Sequence, residues 1–115
     1  MYKKRGITVP CLILCGMLTG EVRAGEGHAI SGSVEDGRIK AVLCAGCHGE
    51  KGAGKAASEG LPAIPKLAGQ IPGYFVKAMQ DYKSDKRVDP LMNAISKGLT
   101  DADIANLAAY YLSLK

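Results

Sequence analysis

The sequence contains no tryptophan and only one phenylalanine among its 115 residues. A chain of this length forms one domain at most, and with so few large aromatic side chains its hydrophobic core is modest. Four cysteines lie at positions 11, 15, 44 and 47. The first two fall in a segment that we expect to be removed, so the remaining pair is too few for a disulfide framework. The longest apolar run, Ile7 to Gly20, is shorter than the about 20 residues that a membrane-spanning helix needs.

The N-terminal 24 residues are typical of a secretion signal peptide. Lys3, Lys4 and Arg5 form a charged start, an apolar segment follows, and small residues around Ala24 suit signal peptidase. We therefore predict cleavage after residue 24 and a periplasmic mature protein. Retention of the segment as an uncleaved anchor is the alternative, and it would attach the protein to a membrane.

Removal of the signal changes the charge of the chain. The formal net charge is +4, and residues 1–24 contain four basic residues and one acidic residue, so +1 remains on 91 residues. A chain this close to neutrality favours neither nucleic acid nor an anionic membrane as a partner. Residues 25–33 are polar and glycine-rich, and we predict a flexible N-terminal arm there, followed by a folded domain at 34–115.

Residues 44–48, Cys-Ala-Gly-Cys-His, are the attachment pattern of a c-type haem. Two thiols must reach two vinyl groups on one porphyrin edge, so they must leave the backbone about one helical turn apart. The next side chain then offers its imidazole to the iron. We predict that Cys44 and Cys47 hold one covalent haem and that His48 is an axial ligand. The haem would also supply the apolar bulk that the core lacks.

Other sites with similar spacing fit less well. A thioredoxin-like dithiol expects a βαβ context, and no strand pattern lies nearby. A zinc site would combine both cysteines with His28 and His48, but adjacent Cys47 and His48 are awkward ligands for a tetrahedron. Residues 49–56 approach a phosphate-binding loop, yet Ala56 stands where Ser or Thr should hold the metal and no buried strand precedes it.

Hydrophobic periodicity and capping residues predict a first helix that leads into this motif. It begins near Ser33 or Val34, where Ser33 and Asp36 resemble a capping box, and it ends at Gly49. An apolar stripe at helical spacing consists of Ile39, Val42 and Leu43. The haem motif therefore lies at the C-terminal end of the helix.

Two helices are predicted in the middle of the chain. The apolar segment 61–67 contains two prolines, so it is extended. A helix then runs from about Pro72 to Ser84, with proline in its first turn. Its packing face consists of Phe75, Ala78, Met79 and Tyr82. After the charged loop 85–91, a short helix extends from Met92 to Lys97.

The C-terminal helix has the clearest sequence signals. Thr100 caps it, Asp103 completes a capping box, and acidic residues near its start suit the helix dipole. Its buried stripe is predicted to comprise Ile104, Leu107, Ala108, Tyr111 and Leu114. No strands are predicted. The fold class is therefore all-α, with three main helices plus short helices and loops around one haem.

One axial position of the iron stays open after His48, and three residues could fill it. Met79 lies inside a helix on its packing face, where methionine is an ordinary core residue. His28 lies in the polar arm, where a solvated position is expected. Met92 follows a proline-containing loop that can bend over the ring and point a sulfur at it. We predict ligation by His48 and Met92, the electron-transfer pattern.

With these residues in place, the chain resembles a short bacterial class I cytochrome c, of the monohaem type also found duplicated in dihaem cytochromes. The likeness extends from about Val34 to Leu114. The segments that carry it are Cys-Ala-Gly-Cys-His-Gly at 44–49, Pro-Lys-Leu-Ala-Gly-Gln at 65–70, Tyr74, Tyr-Lys-Ser-Asp-Lys-Arg at 82–87, Asp-Pro-Leu-Met at 89–92, Leu-Thr-Asp-Ala-Asp-Ile at 99–104 and Leu-Ala-Ala-Tyr-Tyr at 107–111.

The resemblance implies further residue roles. The Pro65 carbonyl would accept a hydrogen bond from Nδ1 of His48, a contact that fixes the orientation of a ligating imidazole. Gly37 would lie where the first and last helices cross, against the region of Tyr110. Asp85 replaces a glycine that commonly ends the middle helix, and Asp tolerates the left-handed conformation better than most residues.

These features predict a periplasmic electron-transfer protein rather than an enzyme, with haem iron that cycles between Fe(III) and Fe(II). A haem-bearing subunit of a dehydrogenase complex, such as a flavocytochrome c sulfide dehydrogenase, is the alternative. A haem peroxidase or gas sensor is a remote alternative, because it needs an open or labile distal site with a polar residue. The electron donor, the acceptor and the reduction potential do not follow from the sequence.

The partners implied are redox proteins that dock transiently on small interfaces. Neither nucleic acid nor a small-molecule substrate is expected. Two interpretations of the basic side chains stay open: a ring around the haem edge that meets an acidic partner, or a solvated surface. The residues concerned are Lys51, Lys55, Lys66, Lys83, Lys86 and Arg87.

Overall fold

The computed structural model describes residues 31–115. The predicted signal peptide at 1–24, most of the predicted arm, and His28 lie outside the described residues. Within 31–115 there are five helices: α1 (Val34–Lys40), α2 (Val42–His48), α3 (Pro72–Lys83), α4 (Pro90–Lys97) and α5 (Asp101–Ser113). The same residues form no strand, only two isolated bridges, Lys55 with Ile64 and Ser58 with Leu61. The predicted all-α fold class is confirmed.

Helices α1 and α2 occupy the region predicted as one helix. Ser33 caps α1 by accepting a hydrogen bond from the Asp36 N–H. The predicted capping box is only half formed, because the Ser33 N–H donates to the Asn106 side chain and not to Asp36. A turn at Ala41 then separates the two helices, and the Cys44 N–H bonds back to the Ala41 carbonyl three residues earlier. The predicted stripe is not the buried face, because Ile39, Val42 and Leu43 are 59%, 73% and 69% exposed. Small residues, Gly37 and Ala41, are buried in its place.

Gly37 is buried because α1 crosses α5 at that point. A Cβ at position 37 would lie 2.6 Å from the carbonyl carbon of Asn106 and 2.8 Å from Cβ of Tyr110. Only glycine lets the two backbones approach so closely. The crossing is supported by a hydrogen bond of 2.8 Å from the Ser33 N–H to the Asn106 side chain. The position of Gly37 that the resemblance implied is confirmed.

The core is formed mainly by α5 and α3. Tyr111, Ile104 and Leu107 are at most 1% exposed, and the Phe75 and Tyr111 rings pack with centroids 5.7 Å apart. The buried members of the cluster are Ala41, Phe75, Met79, Leu99, Ile104, Leu107, Ala108 and Tyr111. The Thr100–Asp103 capping box at the start of α5 is present as predicted. The α5 stripe is therefore the centre of the fold.

Helix α4 begins at Pro90, two residues earlier than predicted. Asp89 caps it, since its carboxylate accepts hydrogen bonds from the N–H groups of Leu91 and Met92, and Pro90 then occupies the first helical position. The loop before it contains Asp85 at φ 59°, the left-handed conformation anticipated for the residue in place of glycine. Asp85 also pairs with Lys97 of α4.

None of the helices described between residues 31 and 115 combines the length and the apolar character needed to cross a membrane.

Candidate haem site

Helix α2 presents the attachment motif at the surface. Cys44 is half-buried, Cys47 is exposed, and both are free thiols. A Cβ at Gly46 would have no neighbour within 4 Å, so the face between the cysteines is open. Burial raises the pKa of the Cys44 thiol. Two thiols one turn apart on an open helix face suit addition to two vinyl groups.

The loop after α2 brings Pro65 to His48. The His48 carbonyl accepts a hydrogen bond from the Gly54 N–H at 2.7 Å, and Lys55 and Ile64 exchange two hydrogen bonds of 2.9 Å. The Gly52 carbonyl accepts from the N–H groups of both Leu67 and Ala68. These contacts fold the segment 49–68 back on itself, so that its second half lies against the end of α2.

Nδ1 of His48 lies 2.8 Å from the Pro65 carbonyl oxygen. A carbonyl can only accept, so Nδ1 carries the proton and Nε2 has a free lone pair. His48 is only 8% exposed, and Nε2 makes no hydrogen bond within residues 31–115. In that part of the chain no buried side-chain nitrogen or oxygen lacks a partner, so Nε2 is open to its surroundings. A fixed imidazole with an open Nε2 is the arrangement of a metal ligand.

The two candidate methionines lie in different environments. Met79 is 7% exposed and belongs to the buried core with Phe75 and Tyr111. Met92 is half-buried on the first turn of α4, and its N–H donates to the Asp89 carboxylate at 2.9 Å. Ala94 and Ile95 of α4 face Leu43 and Cys44 of α2 across an apolar cleft. The helix that carries Met92 therefore stands opposite the helix that carries the cysteines.

Exposed apolar side chains lie near the attachment motif, near Pro65 and next to Met92. Leu43 precedes Cys44, Leu61 lies on the segment that leads to Pro65, and Leu91 precedes Met92; all three are at least 59% exposed. Uncovered apolar groups at every segment of a candidate site indicate a ligand with a large apolar surface. Together with the two thiols and the open Nε2, these residues fit a haem.

Residues 31–115 contain no group of three or more His, Cys, Asp or Glu side chains placed to hold a metal ion directly. The zinc alternative that includes His28 lies outside the described residues.

Sequence reasoning missed the involvement of Tyr111 with the motif. Its ring lies within contact distance of Gly52, where a Cβ would be 2.6 Å from a ring carbon, and Gly69 donates to its carbonyl at 2.8 Å. Burial and the nearby Cys44 raise the pKa of Tyr111. The periodicity of α5 marks Tyr111 as buried, but no sequence signal shows that it packs beside Cys44.

Several known proteins with similar sequences or structures are named as cytochromes. The cytochrome c4 of Pseudomonas aeruginosa is 41% identical over 91 residues, covering 79% of this chain and 42% of that protein. The cytochrome subunit of sulfide dehydrogenase of Chlorobaculum tepidum is 33% identical over 78 residues, covering 68% and 66%. A solved structure of Acidithiobacillus ferrooxidans cytochrome c4 matches with a TM-score of 0.59 and 32% identity, covering 76% and 52%.

The family model of cytochrome c matches residues 38–115, which include the attachment motif, Pro65 and Met92. The chain spans less than half of the length of the first curated relatives that it matches. Covalently bound haem c is the cofactor of this family, and the fold and the attachment motif described above agree with it. On the match of the family model and the identity to its relatives, the chain belongs to the cytochrome c family.

Proposed function

We propose that this chain is a periplasmic electron-transfer protein with one haem c, held by Cys44 and Cys47 and ligated by His48 and Met92. The observation that carries the proposal is the His48 imidazole, which is buried, bonded through Nδ1 to Pro65 and open at Nε2. The predicted signal peptide supports export to the periplasm. When bound, the haem iron supplies reversible one-electron chemistry between the ferric and ferrous states.

The protein residues set how that chemistry proceeds. Pro65 fixes the orientation of the His48 imidazole and, as an acceptor, makes it a stronger donor to the metal. Asp89 holds the backbone of Met92, whose soft thioether would favour the reduced state of the iron and raise its reduction potential. With His48 and Met92 both bound to the iron, no position would remain for a small molecule, and the site would relay electrons without binding a substrate.

A haem-bearing subunit of a dehydrogenase complex is the second candidate. It is favoured by the relative named as the cytochrome subunit of sulfide dehydrogenase. The two functions differ in how the partner is held. A carrier purifies alone from its native periplasm, whereas a subunit purifies with a larger chain.

The ligand assignment is tested by the same substitution at both methionines. Met92→Leu should abolish the sulfur-to-iron charge-transfer band at the red edge of the ferric spectrum and let ferrous protein bind carbon monoxide, because no thioether remains. Met79→Leu should keep the band, since Met79 is core packing and a swap of similar volume costs less than about 1.5 kcal/mol. Absorption spectra of the two purified variants decide. A band that survives in Met92→Leu and disappears in Met79→Leu would refute the assignment.

We also propose that redox partners have an acidic surface, which docks against the lysines of the loop after α2. Five basic side chains in residues 31–115 form ion pairs, with Lys83 among them, and Lys51, Lys55 and Lys66 do not. Nζ of Lys55 donates to the Gly46 carbonyl at 3.2 Å, which places a positive charge beside the attachment motif. Glu50 and Glu59 on the same loop partly offset this positive charge, so the attraction to an acidic surface would be weak.

Voltammetry on a gold electrode coated with carboxylate-terminated thiols tests this surface. At low salt, Lys55→Glu should slow interfacial electron transfer several-fold, because it reverses a charge beside the haem motif. Lys77→Glu is the matched control, since Lys77 already pairs with Asp81 on α3. The difference should vanish near 1 M salt, where the screening length is about 3 Å. Equal rates for the two variants at low salt would show that these lysines are only a solvated surface.

A further inference from the structure

Asn93 directly follows the candidate distal ligand Met92, and no sequence motif singles it out. Its side-chain amide makes three hydrogen bonds to backbone groups. Nδ2 donates to the carbonyls of Tyr82 at 2.6 Å and Arg87 at 2.8 Å, and Oδ1 accepts from the Asp89 N–H at 2.7 Å. An amide combines two donor hydrogens with an acceptor, and only that combination satisfies two carbonyls and one N–H together.

These contacts join the start of α4 to the end of α3. Tyr82 lies in the last turn of α3, and Arg87 and Asp89 belong to the loop between the helices. Asp89 is also the cap of α4, and its carboxylate accepts from the Met92 N–H at 2.9 Å. Asn93 therefore fixes the position of Asp89, and Asp89 in turn fixes the backbone of Met92.

Helix α3 is a firm anchor for this arrangement. Phe75 and Met79 attach it to the buried core, so a continuous set of contacts runs from the core through Asn93 to Met92. The other links between the loop and the helices lie at the surface. The exposed Arg87 guanidinium lies 4.8 Å from the centroid of the Tyr82 ring and donates to the Tyr74 hydroxyl at 3.4 Å. The Arg87 N–H donates to the Asp81 carbonyl at 3.0 Å, and the Asp85–Lys97 ion pair is half exposed on both sides and contributes little.

We propose that Asn93 is a positioning residue for the distal iron ligand. Its amide braces the loop between α3 and α4, and this brace keeps the Met92 sulfur in place against competing ligands. Displacement of Met92 requires the loop to open, and opening breaks the three Asn93 hydrogen bonds. The inference rests on the proposed ligation by His48 and Met92.

The test uses haem-loaded protein and imidazole as a competing ligand for ferric iron. Asn93→Ala removes all three bonds, and Asn93→Asp keeps the shape and the acceptor but removes both donors. Both variants should bind imidazole about ten-fold more tightly than the wild type, a change equivalent to about 1.4 kcal/mol. The readout is the loss of the sulfur-to-iron band as imidazole is added. If the Asn93→Ala protein does not accumulate in a folded form, the imidazole affinity of Asn93→Asp alone tests the positioning role.

Asn106→Ala is the matched control. Asn106 is also half-buried and also bonds a backbone group, the Ser33 N–H at 2.8 Å, but it does so at the crossing of α1 and α5. This variant should lower the melting temperature and leave imidazole affinity within about two-fold of the wild type. If it increases affinity as much as Asn93→Ala, general destabilisation explains the effect and Asn93 has no positioning role.

The inference and the proposed function fail in different ways. If Met92→Leu loses the band while both Asn93 variants bind imidazole like the wild type, the positioning role is wrong and the ligation stands. If Met92→Leu keeps the band, the ligation itself is wrong, and the inference falls with it.

Discussion

Replacement of both motif cysteines, Cys44→Ser with Cys47→Ser, should abolish covalent haem attachment completely. A thioether needs sulfur to add across a vinyl group, and the serine hydroxyl is a far weaker nucleophile than a thiol. Within the described residues Cys44 and Cys47 are the only free cysteines. Haem staining of the denatured polypeptide on a gel is the measurement, and the double variant should give no stained band.

The other two cysteines offer a matched control. Cys11→Ser with Cys15→Ser makes the same chemical change at positions that lie outside the described residues and inside the predicted signal peptide. That variant should stain as strongly as the wild type. A stained chain from the Cys44/Cys47 variant, or an unstained one from the Cys11/Cys15 variant, would contradict the assignment of the attachment site.

Gly37→Ala should produce the largest loss of stability of any glycine-to-alanine change in the described helices. The added Cβ would overlap the backbone of Asn106 and press on Cβ of Tyr110. Neither neighbour can move aside as a flexible side chain could, so α1 must shift away from α5. Overpacking of this kind costs about 3 kcal/mol, and thermal unfolding of the haem-loaded protein should show a melting temperature about 10–20 °C lower.

Gly73→Ala provides the contrast on α3. A Cβ at Gly73 has nothing within 4 Å, and alanine has the higher helix propensity, so stability should rise by up to about 1 kcal/mol. The comparison separates steric overlap from the general effect of glycine. If both variants melt like the wild type, the close approach of α1 and α5 at Gly37 is wrong.

The elements that sequence reasoning located well are those with local signals at both ends. Helix α5 has the Thr100–Asp103 box at its start and an apolar stripe along its length, and α3 has Pro72 in its first turn. The predicted start of α4 at Met92 is two residues too late, because the prediction follows the apolar pattern and not the cap. Asp89 followed by Pro90 is itself a start signal, and it marks the observed boundary.

The way α1 and α2 pack depends on close backbone contacts, which hydrophobic periodicity in the sequence does not predict. Large apolar residues define a predicted stripe, but the α5 contact selects the small residues Gly37 and Ala41, since backbones meet there. Ile39, Val42 and Leu43 consequently point away from the protein core. The turn at Ala41 has no local cause in the sequence, because alanine is the best helix former.

The residues of the site also differ in how well the sequence alone predicts their roles. Cys44, Cys47 and His48 are adjacent in the chain, so their chemistry can be read directly from the motif. Met92 is predicted from its place after a proline-containing loop, whereas the role of Pro65 follows only from the family resemblance, since that position has no local marker. Asn93 was not found, because its three hydrogen bonds depend on how α3 and α4 are joined.

Covalent haem at Cys44 and Cys47 is tested most directly by the intact mass of the wild-type chain, exported by a host that attaches haem and then fully denatured. One haem added to the mass of the polypeptide is the expected result. A folded, exported chain with the mass of the bare polypeptide would contradict it.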